Sequence, residues 1–194
     1  MGKLKERYIQ EYKWIRDNNN NIDSVYKYLV ENDYDLYCAT TNNRAFRTIF
    51  NVLKIDTVVE IGTFHGSSAA YMAQFVKCVH TFDIVDIYQS QIWEKLGLGN
   101  KIVFHLVKDK EEIRQILETI KFDFAFIDGN HSYENVKRDF ELVKRCGRVL
   151  FHDTKIHPRK VSQWVIKFVN ELGNVKVMGN IGYWENVNSN NYNI

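Results

Sequence analysis

The stretch VVEIGTFHGSS, residues 58–68, decides how this chain folds. Its first four residues, mostly β-branched and apolar, favour a short buried strand. Gly62 and Gly66 then break the strand pattern, and small residues typical of a helix start follow. The stretch therefore predicts a strand, a tight loop and a helix, with backbone N–H groups at the helix start facing the loop.

The rest of the chain repeats this alternation of strand and helix. Strands are predicted at 57–61, 78–85, 102–107, 122–127 and 148–151, and a closing hairpin at 175–178 and 182–186. Helices are predicted at 67–76, 111–120, 133–145 and 160–172. We therefore predict an α/β fold: a Rossmann-like, mainly parallel seven-stranded sheet with helices on both faces and a C-terminal antiparallel hairpin.

The length of 194 residues suits one compact unit. We expect residues 1–56 to form an N-terminal helical cap, because apolar residues recur there at helical spacing. Residues 57–187 form the predicted core, and the Asn-rich tail at 188–194 is expected to be disordered. The aromatic loop at 34–43 is our candidate for the acceptor-facing edge of the cap.

Composition excludes several classes of protein. The net charge of +2 argues against nucleic-acid and membrane binding, and no apolar run reaches the roughly 18 residues that a membrane span needs. The charged N-terminus lacks the apolar core of a signal peptide. Three cysteines without a CxxC pair indicate a reducing compartment. We therefore expect a cytoplasmic location.

Ligands of parallel sheets bind at the carboxyl ends of the strands, so the acids found there are candidates. Glu60 beside the glycine loop would repel a pyrophosphate but suits a cationic ligand, such as a sulfonium with an amino-acid tail. Asp83, with Asp86 in reserve, can accept both hydroxyls of a ribose. Asp109 can meet an adenine amino group, although a solvated loop carboxylate fits that position nearly as well. We expect the cofactor to contact Glu60, Gly62, Thr63, Phe64, Gly66, Ser67, Asp83, Asp109 and Asp128.

Two further strand ends carry the groups suited to catalysis. Asp128 and Asp153 each follow an apolar strand, and two converging carboxylates suggest a hard divalent cation such as magnesium. His131 is a candidate general base because imidazole titrates near neutral pH, although a capping or packing histidine is the alternative. His152 is either a third metal ligand or a core residue beside the ion.

Residues 58–69, 124–143 and 148–153 together resemble the class I S-adenosylmethionine-dependent methyltransferases. More narrowly, they resemble small metal-dependent O-methyltransferases related to macrocin and mycinamicin sugar O-methyltransferases and to cephalosporin hydroxylase-like proteins. The pattern IDGxHxYExVxxD, at 127–139, is the specific element; the glycine loop alone is not.

The resemblance implies roles for individual residues. Asp128 and Asp153 match the metal acids, His131 matches the base, and Asp83 matches the ribose acid. Some relatives carry glutamate where this chain has His152, and a neutral nitrogen there leaves manganese or iron open beside magnesium. The implied activity is metal-assisted transfer of a methyl group from S-adenosylmethionine to a hydroxyl of a sugar or another small molecule.

Three other functions stay open at the level of sequence. They are a metal-independent methyltransferase, a nucleotide-binding oxidoreductase and a catalytically silent binding domain. The missing GxGxxG motif argues against the oxidoreductase. Small methyltransferases of this kind often pair, so a homodimer is one option, whereas the acceptor, the metal, the oligomeric state and the pathway cannot be read from the sequence.

Overall fold

A computed structural model describes residues 48–50, 52–86, 90–155 and 162–186. Residues 48–50 and 52, near the end of the predicted cap, are helical. Residues 1–47 and 51 of the predicted cap, with its loop at 34–43, lie outside the described residues, and so does the predicted tail.

Seven strands form one sheet in the order β3-β2-β1-β4-β5-β7-β6. β1 to β5 run parallel, and β7 is antiparallel to both β5 and β6. The predicted architecture is therefore confirmed, including the antiparallel hairpin. The strands are β1 Thr57–Ile61, β2 Cys78–Asp83, β3 Ile102–Leu106, β4 Phe124–Ile127, β5 Arg148–His152, β6 Val175–Met178 and β7 Ile181–Glu185.

Five helices connect or flank these strands in the described part of the chain. They are α1 Ser67–Ala73, α2 Ser90–Lys95, α3 Lys110–Thr119, α4 Tyr133–Val143 and α5 Gln163–Leu172, with short 3₁₀ turns at Gly99–Lys101 and Lys144–Cys146. The prediction missed α2, whose six residues are too few to display a helical period.

Two predicted boundaries were wrong for identifiable reasons. β2 ends at Asp83 rather than at Val85, because the backbone N–H groups of Ile84 and Val85 bond to the Asp83 carboxylate. β4 begins at Phe124 rather than at Phe122. Asp123 lies just before it, and its carboxylate accepts hydrogen bonds from the backbone N–H groups that lead into β1.

The sheet separates two apolar layers, and helices cover both faces as predicted. One layer includes Tyr71 and Met72 of α1 against Phe124 and Phe126 of β4. The other packs α3, α4 and α5 against side chains such as Phe151 of β5. Burying a large apolar side chain contributes about 2 kcal/mol, so these layers fix the strands that carry the loops described below. No helix among the described residues is long and apolar enough to cross a membrane.

The strand order brings the loops of interest together. The connections turn in opposite directions on either side of the β1–β4 pair, which is where open α/β sheets bind ligands. Ile61 at the end of β1 accepts a hydrogen bond from the backbone N–H of Asp128 at 2.9 Å. The loop after β1 and the loop after β4 are therefore neighbours.

Candidate functional site

Gly62 begins the loop after β1, and the protein backbone dictates its identity. Its φ is +103°, and a Cβ atom added there would lie 2.3 Å from the backbone oxygen of Asp128. Sequence reasoning assigned this glycine to the close approach of a ligand. The structure shows that the chain after β4 also approaches closely here, and the cofactor contact stays a prediction. Gly62 thus sets how tightly the two loops pack.

Gly66 closes the loop with a second left-handed conformation, at φ +78°. Its carbonyl accepts a hydrogen bond from Nε1 of Trp93 at 2.8 Å, and an added Cβ would lie 2.6 Å from the indole ring. The backbone N–H of Gly66 donates to the Thr63 carbonyl at 2.8 Å. Trp93 of α2 therefore locks the turn from outside. This contact could not be predicted, since α2 itself was not predicted.

Glu60 is fully buried beneath the loop. Its carboxyl group accepts hydrogen bonds from the hydroxyls of Ser68 and Thr81, the latter at 2.5 Å. The Thr63 hydroxyl joins the same network through Thr81, at 2.6 Å. Burial raises the pKa of Glu60 to about 8, against the lowering effect of the Ser68 and Thr81 hydrogen bonds. The protonated form is thus favoured at pH 7.

The cofactor contact predicted for Glu60 stays a prediction, although the observed carboxyl group points inward. An ionised acid facing a cationic cofactor was expected, whereas the observed carboxyl is enclosed and ties β1, α1 and β2 together. The reason lies in strand alternation: Glu60 points to the same apolar face as Val58, two residues earlier. Ser67, also predicted as a cofactor residue, is largely buried at the start of α1.

Asp83 lies at the carboxyl end of β2, against the glycine loop. One carboxylate oxygen accepts a hydrogen bond from the Phe64 backbone N–H at 2.8 Å. The other accepts bonds from Ile84 at 2.7 Å and Val85 at 3.2 Å. Each carboxylate oxygen carries two lone pairs, so acceptor capacity is left over on the partly exposed side chain. Phe64 beside it is 44% exposed and has a positive φ of 46°.

Asp109 follows β3 and caps the next helix. Its carboxylate accepts hydrogen bonds from the backbone N–H groups of Glu111 at 2.9 Å and Glu112 at 3.0 Å. Capping of this kind explains an aspartate at this position without any ligand. The side chain is exposed, and the predicted adenine contact stays a prediction.

Four side chains converge where β4 and β5 end. Nδ1 of His152 lies 2.8 Å from Oδ1 of Asp128. Nε2 of His131 lies 3.4 Å from the same Asp128 oxygen and 3.4 Å from Oδ2 of Asp153. The structure therefore brings together all four residues that sequence reasoning assigned to metal binding or base catalysis.

Asn180, in the turn between β6 and β7, completes this cluster. Its side-chain amide lies 3.1 Å from Nε2 of His152 and donates to Oδ1 of Asp153 at 3.0 Å. If Asn180 donates to Nε2, that nitrogen accepts, and Nδ1 carries the proton that faces Asp128. Sequence reasoning missed Asn180, because it lies 27 residues from Asp153 and reaches the site only when the hairpin folds back.

Mutual interactions shift the pKa values within the cluster. Burial by itself raises the pKa of Asp128, but the charge and hydrogen bond of His152, with those of His131, outweigh it and lower that pKa. The hydrogen bond to Asp128 is the main cause of the raised pKa of His131. Burial lowers the pKa of His152, yet the Asp128 and Asp153 carboxylates reverse this and raise it.

The backbone around the cluster is strained and anchored. Asp153 adopts a positive φ of 58°, a conformation that costs a non-glycine residue energy and clusters at functional sites. Asp139, fully buried in α4, forms an ion pair with Lys110 at the start of α3. The loop with Asp109 and the helix that follows His131 are thereby joined.

The cluster has the chemistry of a metal site. Ligand atoms of Asp128, His131 and His152 lie within 4.8 Å of one another. One carboxylate and two imidazoles form a mixed oxygen and nitrogen set, which suits manganese, iron or zinc better than the all-oxygen preference of magnesium. The residues present thus fit a divalent ion, and they fit the predicted magnesium less well.

The sheet order, the glycine loop after β1 and the polar cluster after β4 and β5 define a Rossmann-like methyltransferase fold. Residues 59–154 match the family model described as a methyltransferase domain. The match favours this class over the nucleotide-binding oxidoreductase considered above.

Solved structures agree on the fold. An O-methyltransferase from Bacillus cereus in complex with SAH superposes with a TM-score of 0.67 at 16% identity, covering 94% of this chain and 100% of that one. The O-methyltransferase TomG from Streptomyces achromogenes, involved in tomaymycin synthesis and in complex with SAM, gives a TM-score of 0.64 at 18% identity, with 89% of each chain covered.

A curated relative is closer in sequence. The uncharacterized protein R132 of Acanthamoeba polyphaga mimivirus is 31% identical over 131 residues, which is 60% of this chain and 58% of that protein. The chain therefore spans less than two thirds of the length of this relative.

Proposed function

We propose that this protein is an S-adenosylmethionine-dependent O-methyltransferase that acts on a hydroxyl group of a small molecule. The observation that carries the proposal is the position of His131 between two carboxylates, beside the loop that follows β1. A base held in this way can take a proton from an acceptor while a cofactor lies over the adjacent loop.

The cofactor is proposed to lie over Gly62–Gly66, with its ribose hydroxyls on Asp83. S-adenosylmethionine supplies the methyl group when bound. The chain contributes the orientation: Asp83 is fixed by three backbone N–H groups, and Trp93 fixes the loop. The partly exposed Phe64 offers an apolar surface next to Asp83.

His131 is proposed as the general base. Nε2–H of His131 donates toward the Asp128 and Asp153 carboxylates, so the other ring nitrogen, Nδ1, takes the proton of the acceptor hydroxyl, and the oxygen then forms the bond to the methyl carbon as the bond from carbon to sulfur breaks. The resulting imidazolium lies 3.4 Å from carboxylate oxygens of both Asp128 and Asp153, which stabilise its positive charge.

A divalent ion is part of the proposal, held by Asp128, Asp153 and His152. An ion of this kind lowers the pKa of a hydroxyl that binds to it. The His152 imidazole in this set favours manganese or iron, with magnesium as the ion implied by family resemblance.

A metal-independent methyltransferase is the second candidate, and one observation favours it. The cluster is already satisfied by internal contacts, since His152 bonds Asp128 and Asn180 bonds both His152 and Asp153. In this version Asp128 and Asp153 only position the acceptor and His131. A chelator should abolish activity if the metal-assisted version is correct and leave it unchanged if the metal-independent version is correct.

The acceptor is proposed to be a sugar hydroxyl, by family resemblance. Residues 1–56 are proposed to cover the acceptor side. A homodimer is also proposed, and gel filtration with light scattering tests it.

Calorimetric titration of S-adenosylhomocysteine, with and without Mn²⁺ or Mg²⁺, tests the cofactor. Saturable binding that is lost in Asp83→Ala but kept in Asp86→Ala supports the site, because Asp86 is an exposed acid three residues further on.

Absence of binding under every condition would overturn the methyltransferase proposal. If binding is found, release of S-adenosylhomocysteine over a panel of glycosides and phenols identifies the acceptor class. Activity on phenols but not on glycosides would contradict the sugar assignment while leaving the methyltransferase proposal intact.

A further inference from the structure

A second group of metal-ligating side chains lies on β2 and β3, outside the candidate site. Cys78 and His80 point to the same face of β2, because they are two residues apart on a strand. His105 lies opposite Phe82 in the register between β2 and β3, which places it on that same face and diagonal to His80. The three residues occupy one patch near the β3 edge of the sheet.

Their ring atoms are close together. Nδ1 of His80 lies 3.0 Å from Nε2 of His105, and the two rings stack with their centroids 5.3 Å apart. On its other side, Nε2 of His80 lies 3.5 Å from Sγ of Cys78. Nothing proposed for the methyltransferase site uses these groups, since they follow neither the glycine loop nor the ends of β4 and β5.

Both imidazoles are suited to metal binding in their neutral form. Burial lowers the pKa of His80, and burial together with the neighbouring His80 lowers the pKa of His105. A neutral imidazole has one protonated nitrogen and one free lone pair. The short contact between the two rings therefore holds one proton between two nitrogens, in a position where a cation can replace it.

We propose that His80 and His105 form a second transition-metal site, which binds a divalent ion that prefers imidazole, such as Zn²⁺, through Nδ1 of His80 and Nε2 of His105. Zinc lies about 2.0–2.1 Å from imidazole nitrogen, so two such ligands in a tetrahedral site are roughly 3.3 Å apart. The observed separation of 3.0 Å is a few tenths of an ångström shorter, and binding also requires the two rings to rotate so that both lone pairs point at one ion.

Cys78 supports this arrangement from the far side of the His80 ring. When Nδ1 binds the ion, Nε2 carries the proton and donates it to Sγ of Cys78. A partner of this kind fixes the orientation and tautomer of a ligating histidine. Cys78 contacts the ring nitrogen that faces away from the proposed ion, so it serves as a partner of His80 and not as a ligand.

The remaining coordination positions fall to water. Val103 on the same face of β3 is 41% exposed, which leaves the patch open to solvent among the described residues. No carboxylate belongs to the set, so magnesium and calcium are poor candidates. A bound ion would join β2 to β3, the strand at one edge of the sheet, and we therefore expect it to stabilise the fold.

Zinc titration of the full-length, untagged protein tests the site. The background carries Asp128→Asn and His131→Gln, which remove ligands of the first cluster. Binding is measured by competition with a chromophoric chelator, and thermal melting is recorded with and without Zn²⁺. The background is expected to bind Zn²⁺ and to melt at a higher temperature with it.

The replacements His105→Gln and His80→Gln, each made in that background, are expected to weaken binding by about 10- to 100-fold and to abolish the thermal shift. Cys78→Ala should weaken binding by less, and the matched control His65→Gln should leave it unchanged. A background that binds no Zn²⁺, or a His105→Gln variant that folds and binds as the background does, would overturn the proposal. Circular dichroism without metal verifies that each variant folds. If His80→Gln does not fold, His105→Gln on the edge strand carries the test by itself.

Discussion

Nδ1 of His152 lies 2.8 Å from Oδ1 of Asp128, and this contact joins the end of β5 to the end of β4. The same two atoms are the ones that would share a metal ion. The identity of residue 152 should therefore decide which ion the cluster prefers.

Replacing His152 with glutamate tests this dependence. A charged oxygen in place of a neutral nitrogen should strengthen Mg²⁺ binding relative to Mn²⁺, by about tenfold. Calorimetric affinities for the two ions provide the measurement. His152→Gln is the control, because it removes the imidazole without adding a charge, and an unchanged ratio of affinities in His152→Glu would argue that residue 152 does not bind the ion.

The rate of methyl transfer should depend on pH through His131. The hydrogen bond to Asp128 raises the pKa of His131, so its base form appears only above the ordinary value of about 6.5. We expect kcat to rise with pH through this raised pKa. His131→Gln should lower kcat by about 10²- to 10⁴-fold and remove that limb of the profile. A variant that retains the limb would assign the base elsewhere.

Glu60 should make the protein less stable as pH rises. Its pKa is raised from 4.5 to about 8, so between these values the folded chain holds a proton that the unfolded chain has lost. The resulting contribution to the free energy of unfolding is on the order of a few kcal/mol. It is complete below pH 4.5 and is lost as pH rises through 8.

Glu60→Gln should remove this loss, since glutamine resembles the protonated acid. Urea unfolding at pH 5 and pH 9 should show a smaller change in the free energy of unfolding than in the parent protein. The exposed Glu118→Gln serves as the control. Equal pH dependence in Glu60→Gln and the parent would show that Glu60 ionises normally in the folded state.

Asn180 should act by positioning the cluster. Asn180→Ala removes the donor to Asp153 and the contact with Nε2 of His152, and we expect metal affinity and kcat to fall by about tenfold. Binding of S-adenosylhomocysteine should be unchanged, because the amide contacts no residue of the glycine loop. Asn170→Ala, on the exposed face of α5, is the control. If both variants lose activity equally, the role of Asn180 is not specific.

Gly62 should be essential for folding and not only for cofactor binding. In Gly62→Ala the new methyl group would meet the Asp128 backbone at 2.3 Å, and overpacking against backbone should cost about 3 kcal/mol or more. Gly97→Ala is a matched control with φ +67° and open space, where we expect about 1 kcal/mol. Urea unfolding compares the two; equal losses would show that the loops can move apart.

The sheet could be predicted from the sequence because its strands are short, apolar and separated by helical patterns. The boundaries that differ are set by side chains bonding to backbone, as Asp83 does at the end of β2. A pattern of apolar residues does not record these bonds. The short helix α2 left no periodic signal at all.

The cluster after β4 and β5 was also predictable, because neighbouring parallel strands end at the same edge. Asn180 was not, since its contacts depend on where the β6–β7 turn lies in space. The burial of Glu60 was not predicted, because a buried acid and a ligand-facing acid look alike in sequence. Its alternation with Val58, which is fully buried, was the available sign.

Trp93 gives the glycine loop a spectroscopic reporter. Its indole N–H bonds to the Gly66 carbonyl and its ring fills the space beside that glycine. Any ligand that shifts the loop must change the surroundings of the indole, and with them its fluorescence. The chain has four tryptophans, so replacing Trp14, Trp164 and Trp184 with phenylalanine would isolate this emission. Loop movement on ligand binding could then be followed in real time without any added label.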